Sequence, residues 1–270
     1  MSVRIVADSG CDLSAEVTDA LGIGVVPLSI RFGSTEYTDR VELSPEQFYA
    51  EMATQEALPE TAAPSPGLFA TMFESMIEDG ASSIVCINLS EALSATAQAA
   101  RTAATTVSGA DIHVVDSKSI TVGHGTLVMR AAEAARDGAS AKDIIDYTND
   151  LSQRTHVFGV LDTLDNLKKG GRIGNAQAMI GSMLSIKPCL DLSSGSVEEA
   201  GRQRTRKKAL AWLAGELPAN ASNIAIGHGL APDVDDFVAG LDGEVDRVSL
   251  IGPVIGTHGG PRVVGLSFTV

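Results

Sequence analysis

The 270-residue chain has little cysteine, few aromatic side chains and a shortage of positive charge. Its three cysteines, Cys11, Cys86 and Cys189, lie far apart, and no CxxC pair or metal-like His/Cys spacing accompanies them. We therefore expect neither a disulfide framework nor a metal site. Cys86 and Cys189 fall in apolar runs, where a small buried thiol is the simplest interpretation. Cysteines of this kind favour a reducing cytoplasm.

The charge balance argues against two classes of partner. The chain carries 20 Lys and Arg against 34 Asp and Glu, a formal net charge of -14, which repels phosphodiester backbones and anionic lipid surfaces. We thus expect no nucleic-acid partner. No stretch approaches the roughly 18 apolar residues of a membrane helix, and the first residues lack the apolar core of a signal peptide. We expect a cytoplasmic protein without stable membrane insertion.

What the chain does have is an α/β pattern, with 44% apolar residues to form a core. In the first half, short runs rich in Val and Ile alternate with helical patterns, which predicts βα units around a parallel sheet covered on both faces. From Thr155 the strands arrive in pairs, with one helix predicted between the glycine-rich segment at 170–174 and Ile186. We predict an α/β fold: an N-terminal doubly wound parallel-sheet domain (1–154) and a smaller C-terminal α+β domain with a mixed sheet (155–270), with a ligand between them.

Motifs of covalent or metal catalysis are missing. The sequence has no P-loop, no HExxH and no GxSxG, and its five histidines are scattered. Asp8, Asp12 and Asp116 could lie together at the carboxyl ends of parallel strands, where open α/β sheets bind ligands. A metal or phosphoryl site is one interpretation of these residues, and turn formation is another. We assign no catalytic residue and no metal ligand.

Hydroxyl residues form the more specific pattern. A predicted strand at 83–89 leads into Ser94 and Thr96, where a new helix begins with Ser94 as its predicted N-cap. Free backbone N–H groups and the positive end of the helix dipole make such a place suitable for a carboxylate or phosphate, although a plain N-cap explains Ser94 equally well. Thr61 precedes a second capped helix, and a glycine-rich loop after a late strand supplies His258.

Eight short motifs, in this order, resemble the DegV family over essentially the whole chain. They are residues 8–13, 61–65, 90–98, 116–117, 170–173, 186–188, 204–208 and 258–261. The resemblance implies a bacterial protein that binds a long-chain fatty acid, such as palmitate or oleate, between a doubly wound domain and a smaller domain. It implies that Thr61 and Ser94 hold the carboxylate with help from His258, and that no cofactor is needed.

The resemblance also implies a carrier rather than an enzyme. Related members present the bound acid to a separate fatty acid kinase catalytic subunit, which makes the acyl phosphate for phospholipid metabolism. This chain departs from the family pattern at Ala62 and Ala63, where Ser-Gln is usual, at Ala95, where glycine is usual, and at Ala97, where tyrosine is common. These departures remove polar groups near the expected head-group site.

Basic residues concentrate in two short segments of the second half, at 168–172 and 202–208. Arg172, in the glycine-rich turn, is expected to act near the head group. The second segment is interpreted either as a solvated face or as a docking surface for an acidic kinase and the phosphates that it handles. The predicted docking residues are Arg204, Arg206, Lys207 and Lys208.

Two other functions stay open at the level of sequence. The first is an enzyme that acts on a small carbonyl or phosphoryl substrate, as in the fold-related dihydroxyacetone kinases, with a site built on His258 or on Asp8 and Asp116. The second is a regulatory protein that senses lipid. For His258 itself, we expect titration near neutrality, with added charge attraction for an acid at low pH.

Overall fold

The computed structural model describes residues 2–179 and 186–270, which form three sheets. The first is a four-stranded parallel sheet in the order β2-β1-β6-β7. All six residues of β6 are buried, as expected for a continuous apolar run in a central parallel strand. The strands are β1 (Val3–Asp8), β2 (Gly24–Val26), β6 (Ser83–Asn88) and β7 (Asp111–Asp116).

Helices cover both faces of this sheet, which confirms the predicted doubly wound arrangement. Successive strand residues point to opposite faces, so Ile5 and Val85 pack in one core cluster while Val6 and Ile84 pack in another. The first face is covered by α1 (Ala15–Leu21), α5 (Thr121–Arg136) and α6 (Ala141–Arg154), and the second by α3 (Pro66–Glu78) and α4 (Thr96–Ala104).

A small antiparallel sheet, which the sequence did not predict, is inserted between β2 and α3. It has the order β4-β3-β5 and pairs Ile30 with Thr61. Its strands are three or four residues long, too short for a readable alternation of apolar and polar residues. The elements are β3 (Ser29–Phe32), β4 (Thr35–Thr38), α2 (Pro45–Met52) and β5 (Glu60–Ala62).

The second half of the chain forms a six-stranded sheet in the order β10-β9-β8-β13-β11-β12. Only β11 and β12 pair in parallel and the other four pairs are antiparallel, so the sheet is mixed, as predicted. Its strands are β8 (Thr155–Val160), β9 (Lys187–Asp191), β10 (Glu198–Gln203), β11 (Ser222–His228), β12 (Arg247–Leu250) and β13 (Val264–Thr269). The domain boundary at 154/155 itself stays a prediction.

Among the described residues, four short α-helices flank this sheet. The segment predicted as a helix after the glycine-rich turn contains a 3-10 helix, Gly174–Met179, and the part of that prediction that falls on residues 180–185 lies outside the described residues. No helix within the described ranges is long and apolar enough to cross a bilayer. The flanking helices are α7 (Asp165–Lys169), α8 (Arg206–Gly215), α9 (Val234–Ala239) and α10 (Pro253–Gly259).

The helix starts show which local signals were reliable. The sequence predicts a capping box at Ser44 to Gln47 and helix starts at Ser65 and Ser140. In the structure, Ser44 forms this capping box with Gln47, and Ser65 and Ser140 accept backbone N–H groups as N-caps. In contrast, the sequence pattern predicts a helix from about Thr126 to Arg136, but α5 begins at Thr121, five residues earlier. Glycines in its first turns hide the helical pattern there.

Candidate functional site

A largely apolar cavity lies between the two main sheets. Its empty space, counted together with the opening to solvent, is about 880 Å³. Both halves of the chain contribute to its wall, which is mostly aliphatic and buried; examples are Leu89, Leu161, Leu190, Leu192 and Val254. The less buried part of the lining carries Thr61, Ser94, Arg172 and His258.

Thr61 and His258 meet across the cavity lining although 197 positions separate them. The Oγ1 atom of Thr61, on β5, lies 3.0 Å from Nε2 of His258, in the last turn of α10. Burial, together with the nearby positive charge of Arg172, lowers the pKa of His258 to about 4. The ring is therefore uncharged at neutral pH, and the expectation that it titrates near neutrality is wrong in this structure.

The start of α10 is held by residues of the first half of the chain. Asp12 Oδ1 accepts the Gly252 N–H at 2.9 Å and an Arg40 Nη2–H at 2.6 Å. A Cβ atom at Gly252 would lie 2.7 Å from Arg40 Nη2 and 2.8 Å from Asp12 Oδ1, so a side chain there would displace this ion pair. The ion pair thus fixes the helix that presents His258.

Ser94 and Thr96 form a hydroxyl pair at the start of α4. The helix begins at Thr96 with Ala95 as its N-cap, so the prediction of Ser94 as N-cap is wrong. The Ser94 Oγ lies 2.8 Å from Thr96 Oγ1 and accepts the Thr96 N–H at 3.4 Å. Among the described residues, Ser94 lines the cavity and Thr96 does not, because Thr96 is fully buried behind it. Thr96 therefore orients Ser94.

Arg172 stands beside His258, in the glycine-rich turn after α7. Its Nε donates to the Leu93 carbonyl at 3.2 Å, and its Nη1 donates to the Gly170 carbonyl at 2.9 Å. A Cβ atom at Gly170 would lie 2.3 Å from Nδ1 of His258, so the absence of a side chain lets the turn pack on the ring. The structure thus brings Thr61, Ser94, Arg172 and His258 to one cavity, while their role in binding stays a prediction.

The predicted docking residues differ in accessibility. Arg204, Lys207 and Lys208 are exposed. The Arg206 side chain is only 11% exposed, and its Nε and Nη2 donate to the two carboxylate oxygens of Asp233, each at 2.6 Å. Arg206 therefore works inside the protein as a bidentate ion pair.

The strand-end aspartates hold backbone groups. Asp8 is fully buried and accepts the N–H groups of Gly10 at 2.9 Å and Leu89 at 2.8 Å. Asp116 accepts the N–H of Lys118 at 3.0 Å. Within residues 2–179 and 186–270, no three or more His, Cys, Asp or Glu side chains are grouped so that they could hold a metal ion. The hydrogen bonds of Asp8 and Asp116 to backbone N–H groups agree with the turn-forming interpretation of these two residues.

Sequence reasoning missed two residues that shape the site. Arg40 lies in a loop and gave no motif, and its role depends on the distant Asp12. Thr121 lines the cavity at the start of α5, but the sequence placed that helix start later. A positive φ, 62° at Arg40 and 44° at Thr121, marks both in the structure and leaves no trace in a single sequence.

The whole chain is similar to known proteins of one family. The family model described as "Uncharacterised protein, DegV family" matches residues 2–270. A DegV domain-containing protein of Halalkalibacterium halodurans is 36% identical over 278 residues, which cover 99% of this chain and 98% of the relative. Sequence similarity therefore extends from end to end.

Solved structures are similar over the same length. A DegV family protein from Thermus thermophilus, described as binding fatty acid, matches with a TM-score of 0.88 and 31% identity, covering 100% of both chains. A stearic-acid-binding protein from Eubacterium ventriosum matches with a TM-score of 0.89 and 29% identity, covering 99% of this chain and 98% of the other. The fold described above is thus the fold of both.

Proposed function

Because this chain belongs to the DegV family, we propose that it binds one long-chain fatty acid non-covalently between its two main sheets. The carboxylate lies at Thr61 and Ser94, and the tail lies along the aliphatic wall. The observation that carries the proposal is the division of the cavity lining: buried aliphatic side chains on one part, and two hydroxyls with His258 on the less buried part. The fatty-acid-binding relatives of the same fold support it.

The tail and the head group of a fatty acid contribute differently to the binding free energy. Burying a methylene contributes roughly 0.8 kcal/mol, so a tail of about 14 methylenes offers on the order of 11 kcal/mol before the costs of ordering. Each hydrogen bond to the charged head group adds about 1.5–3 kcal/mol. The aliphatic wall therefore supplies most of the affinity, and the hydroxyls fix the orientation.

The side chains at the head-group end of the cavity have different roles in binding the carboxylate. The hydroxyl of Thr61 forms a hydrogen bond with Nε2 of the neutral His258 ring. The hydroxyl of Thr96 forms one with that of Ser94 and so orients it. Arg172 brings a positive charge close to His258, and this charge attracts a carboxylate. Thr61 and Ser94 thus act as donors, Arg172 as the charge partner, and Thr96 as the support of Ser94.

The function is that of a cytoplasmic carrier, without catalysis or a cofactor of its own. It presents the bound acid to a separate fatty acid kinase subunit, as the resemblance to the family implies. The exposed Arg204, Lys207 and Lys208 supply a basic surface in a chain of net charge -14, and such a surface complements an acidic partner. Arg206 is left out of this surface because Asp233 neutralises it.

Substitution of the hydroxyls tests the head-group site. Ser94→Ala removes one charge-assisted hydrogen bond, so palmitate binding should weaken by about tenfold to a hundredfold, and Thr61→Ala should act similarly. The loss should be much smaller for hexadecanol, whose hydroxyl is not anionic. Isothermal titration measures both ligands, with the exposed Ser108→Ala as a control. Equal losses for acid and alcohol would show that these hydroxyls do not hold the carboxylate.

Charge reversal tests the carrier role. Changing Lys207 and Lys208 to Glu, with or without Arg204→Glu, should slow phosphorylation of the bound acid by a cognate kinase while leaving palmitate affinity nearly unchanged. The control reverses Arg136 and Lys142, two exposed cations of the first half of the chain, and changes the net charge as much as the double variant does. Equal rates in the two reversed proteins would exclude this surface as the docking site.

A further inference from the structure

A second polar spot lies in the wall of the cavity, at the start of α5. Thr121 lines the cavity and is 4% exposed, yet its hydroxyl has no hydrogen-bond partner among the described residues. The hydroxyls of Ser119 and Ser267 are also buried and, within that same part of the chain, unpartnered. Buried hydroxyls are nearly always hydrogen-bonded in native proteins, so three together call for an explanation.

The two serine hydroxyls lie together, and Ser119 lies close to Thr121 along the chain. A Cβ atom built on Gly123 would lie 2.5 Å from Ser119 Oγ, 2.5 Å from Val157 Cγ2 and 3.2 Å from Ser267 Oγ. Val157 itself lines the cavity. The two serine hydroxyls therefore lie against the same face of Gly123, next to the cavity wall, and Thr121 is two residues earlier in the same helical turn.

The backbone at this spot is held in a costly conformation. Thr121 has a φ of 44°, in the left-handed region that is a genuine outlier for a β-branched residue. Its neighbour Ile120 is the N-cap of the 16-residue α5, and both residues line the cavity. The positive end of this helix thus faces the cavity wall beside an unpartnered hydroxyl. Strain of this kind clusters at ligand sites.

A plain hydrocarbon tail offers these buried hydroxyls no hydrogen-bond partner. Against methylenes, the Thr121 hydroxyl stays unsatisfied, and valine would fill the same volume without that cost. An oxygen on the ligand removes the cost because a hydroxyl both donates and accepts hydrogen bonds. The head-group residues do not need this spot, since Thr61 and Ser94 lie on other segments and already provide the carboxylate with donors.

We propose that the cavity takes an acyl chain that bears an oxygen substituent, a hydroxy or oxo fatty acid, whose oxygen hydrogen-bonds Thr121. The buried hydroxyls of Ser119 and Ser267 lie behind the cavity wall beside Gly123 and extend this polar region. The proposal rests on the fatty-acid site proposed above and names its preferred substrate class. The carboxylate stays at Thr61 and Ser94, so the ligand is held at two polar points with methylenes between them.

The preference for an oxygen-bearing acyl chain is tested with matched fatty acids and a variant of Thr121 that keeps its shape. Stearic acid and a series of its monohydroxy positional isomers are titrated into the wild type, Thr121→Val and Thr121→Ser. At least one isomer should bind the wild type about tenfold tighter than stearate. Thr121→Val keeps the β-branched shape and should remove this preference while changing stearate affinity less than threefold. Thr121→Ser should retain it. Thr148→Val, which removes a buried hydroxyl from α6, serves as the control.

Each outcome decides one point. If stearate binds but no isomer is preferred, or if Thr121→Val weakens both acids equally, the polar spot is scaffold or holds the carboxylate, and this inference is overturned. If neither acid binds, the fatty-acid site itself fails as well. Ser267→Ala gives a second route should Thr121→Val fold poorly, because it alters the same polar spot from β13 and should reduce the preference for the same isomer.

Discussion

Two clefts where the two main sheets meet offer opposite chemistry. The apolar cavity encloses about 880 Å³. A second cleft, here called the polar cleft, is larger at about 1310 Å³ and is lined by charged residues that include Asp12, Asp39, Arg40 and Arg247. In the polar cleft, Asp12 and Arg40 pair with each other, whereas the polar groups of the apolar cavity are a few hydroxyls, a neutral histidine and Arg172. The chemistry of the wall, rather than its size, therefore favours the apolar cavity as the proposed lipid site.

The two clefts are mechanically connected. Asp12 and Arg40 lie in the polar cleft and hold the N-terminus of α10, while His258 at the other end of this helix lines the apolar cavity. At that end, Asn166 Nδ2 donates to the Thr257 carbonyl at 3.2 Å. The polar cleft thus supports the fold and positions α10, and the apolar cavity is the proposed ligand site.

The largest effect should follow from breaking the ion pair of the polar cleft. Asp12 is buried, with a side-chain exposure of 1% against 22% for Arg40. Arg40→Ala leaves that carboxylate without its charge partner, so the free energy of unfolding should fall by about 3–5 kcal/mol. Urea denaturation followed by circular dichroism measures this.

Two further variants sharpen that measurement. Arg136→Ala removes an exposed ion pair and should cost less than about 1 kcal/mol. The double variant Asp12→Asn with Arg40→Met should recover part of the stability, because no buried charge is then unpaired. A cost for Arg40→Ala as small as that for Arg136→Ala would remove the structural role assigned to the polar cleft.

The apolar cavity should respond to the length of the acyl chain instead. Shortening the acid from 16 to about 12 carbons removes four methylenes and about 3 kcal/mol of transfer free energy, which corresponds to roughly 200-fold weaker binding. Titration calorimetry with a series of saturated acids gives the slope, and exposed Ser108→Ala should leave it unchanged. Affinity independent of chain length would mean that the tail does not lie along the aliphatic wall.

The pH dependence of stability should also separate the two clefts. Burial raises the pKa of Asp39 to about 7. The folded protein therefore binds a proton that the unfolded chain, with an ordinary aspartate pKa, has already released, so this residue lowers stability as pH rises from about 4 to 7. Asp39→Asn should flatten this fall and leave palmitate affinity at pH 8 nearly unchanged. Parallel stability profiles of the two proteins would contradict the assignment.

Local signals in the sequence predicted much of the fold. The buried β6 has four consecutive apolar residues at 84–87, and the caps at Ser44 and Ser65 indicate the starts of their helices. The sequence did not predict the small sheet, because β5 has three residues and owes its strand character to pairing with the distant β3. Propensity reflects only neighbours along the chain, so long-range pairing of this kind is invisible to it.

The candidate site also contains residues that sequence motifs predict and residues that they do not. Thr61, Ser94, Arg172 and His258 were all named from sequence motifs, and the structure brings them to one cavity. The support of α10 could not be predicted, because Asp12 contacts Arg40, 28 positions away, and Gly252, 240 positions away. A carboxylate that caps a helix from the other half of the chain has no sequence signature of its own.

Native mass spectrometry of the purified protein tests the central claim most directly. A long-chain acid buried in the apolar cavity should leave slowly, so the protein should carry one acyl chain per molecule, which organic extraction then identifies. The account predicts that protein stripped of lipid takes up one equivalent of added palmitate or oleate. A protein that copurifies without lipid and takes up neither acid would contradict it.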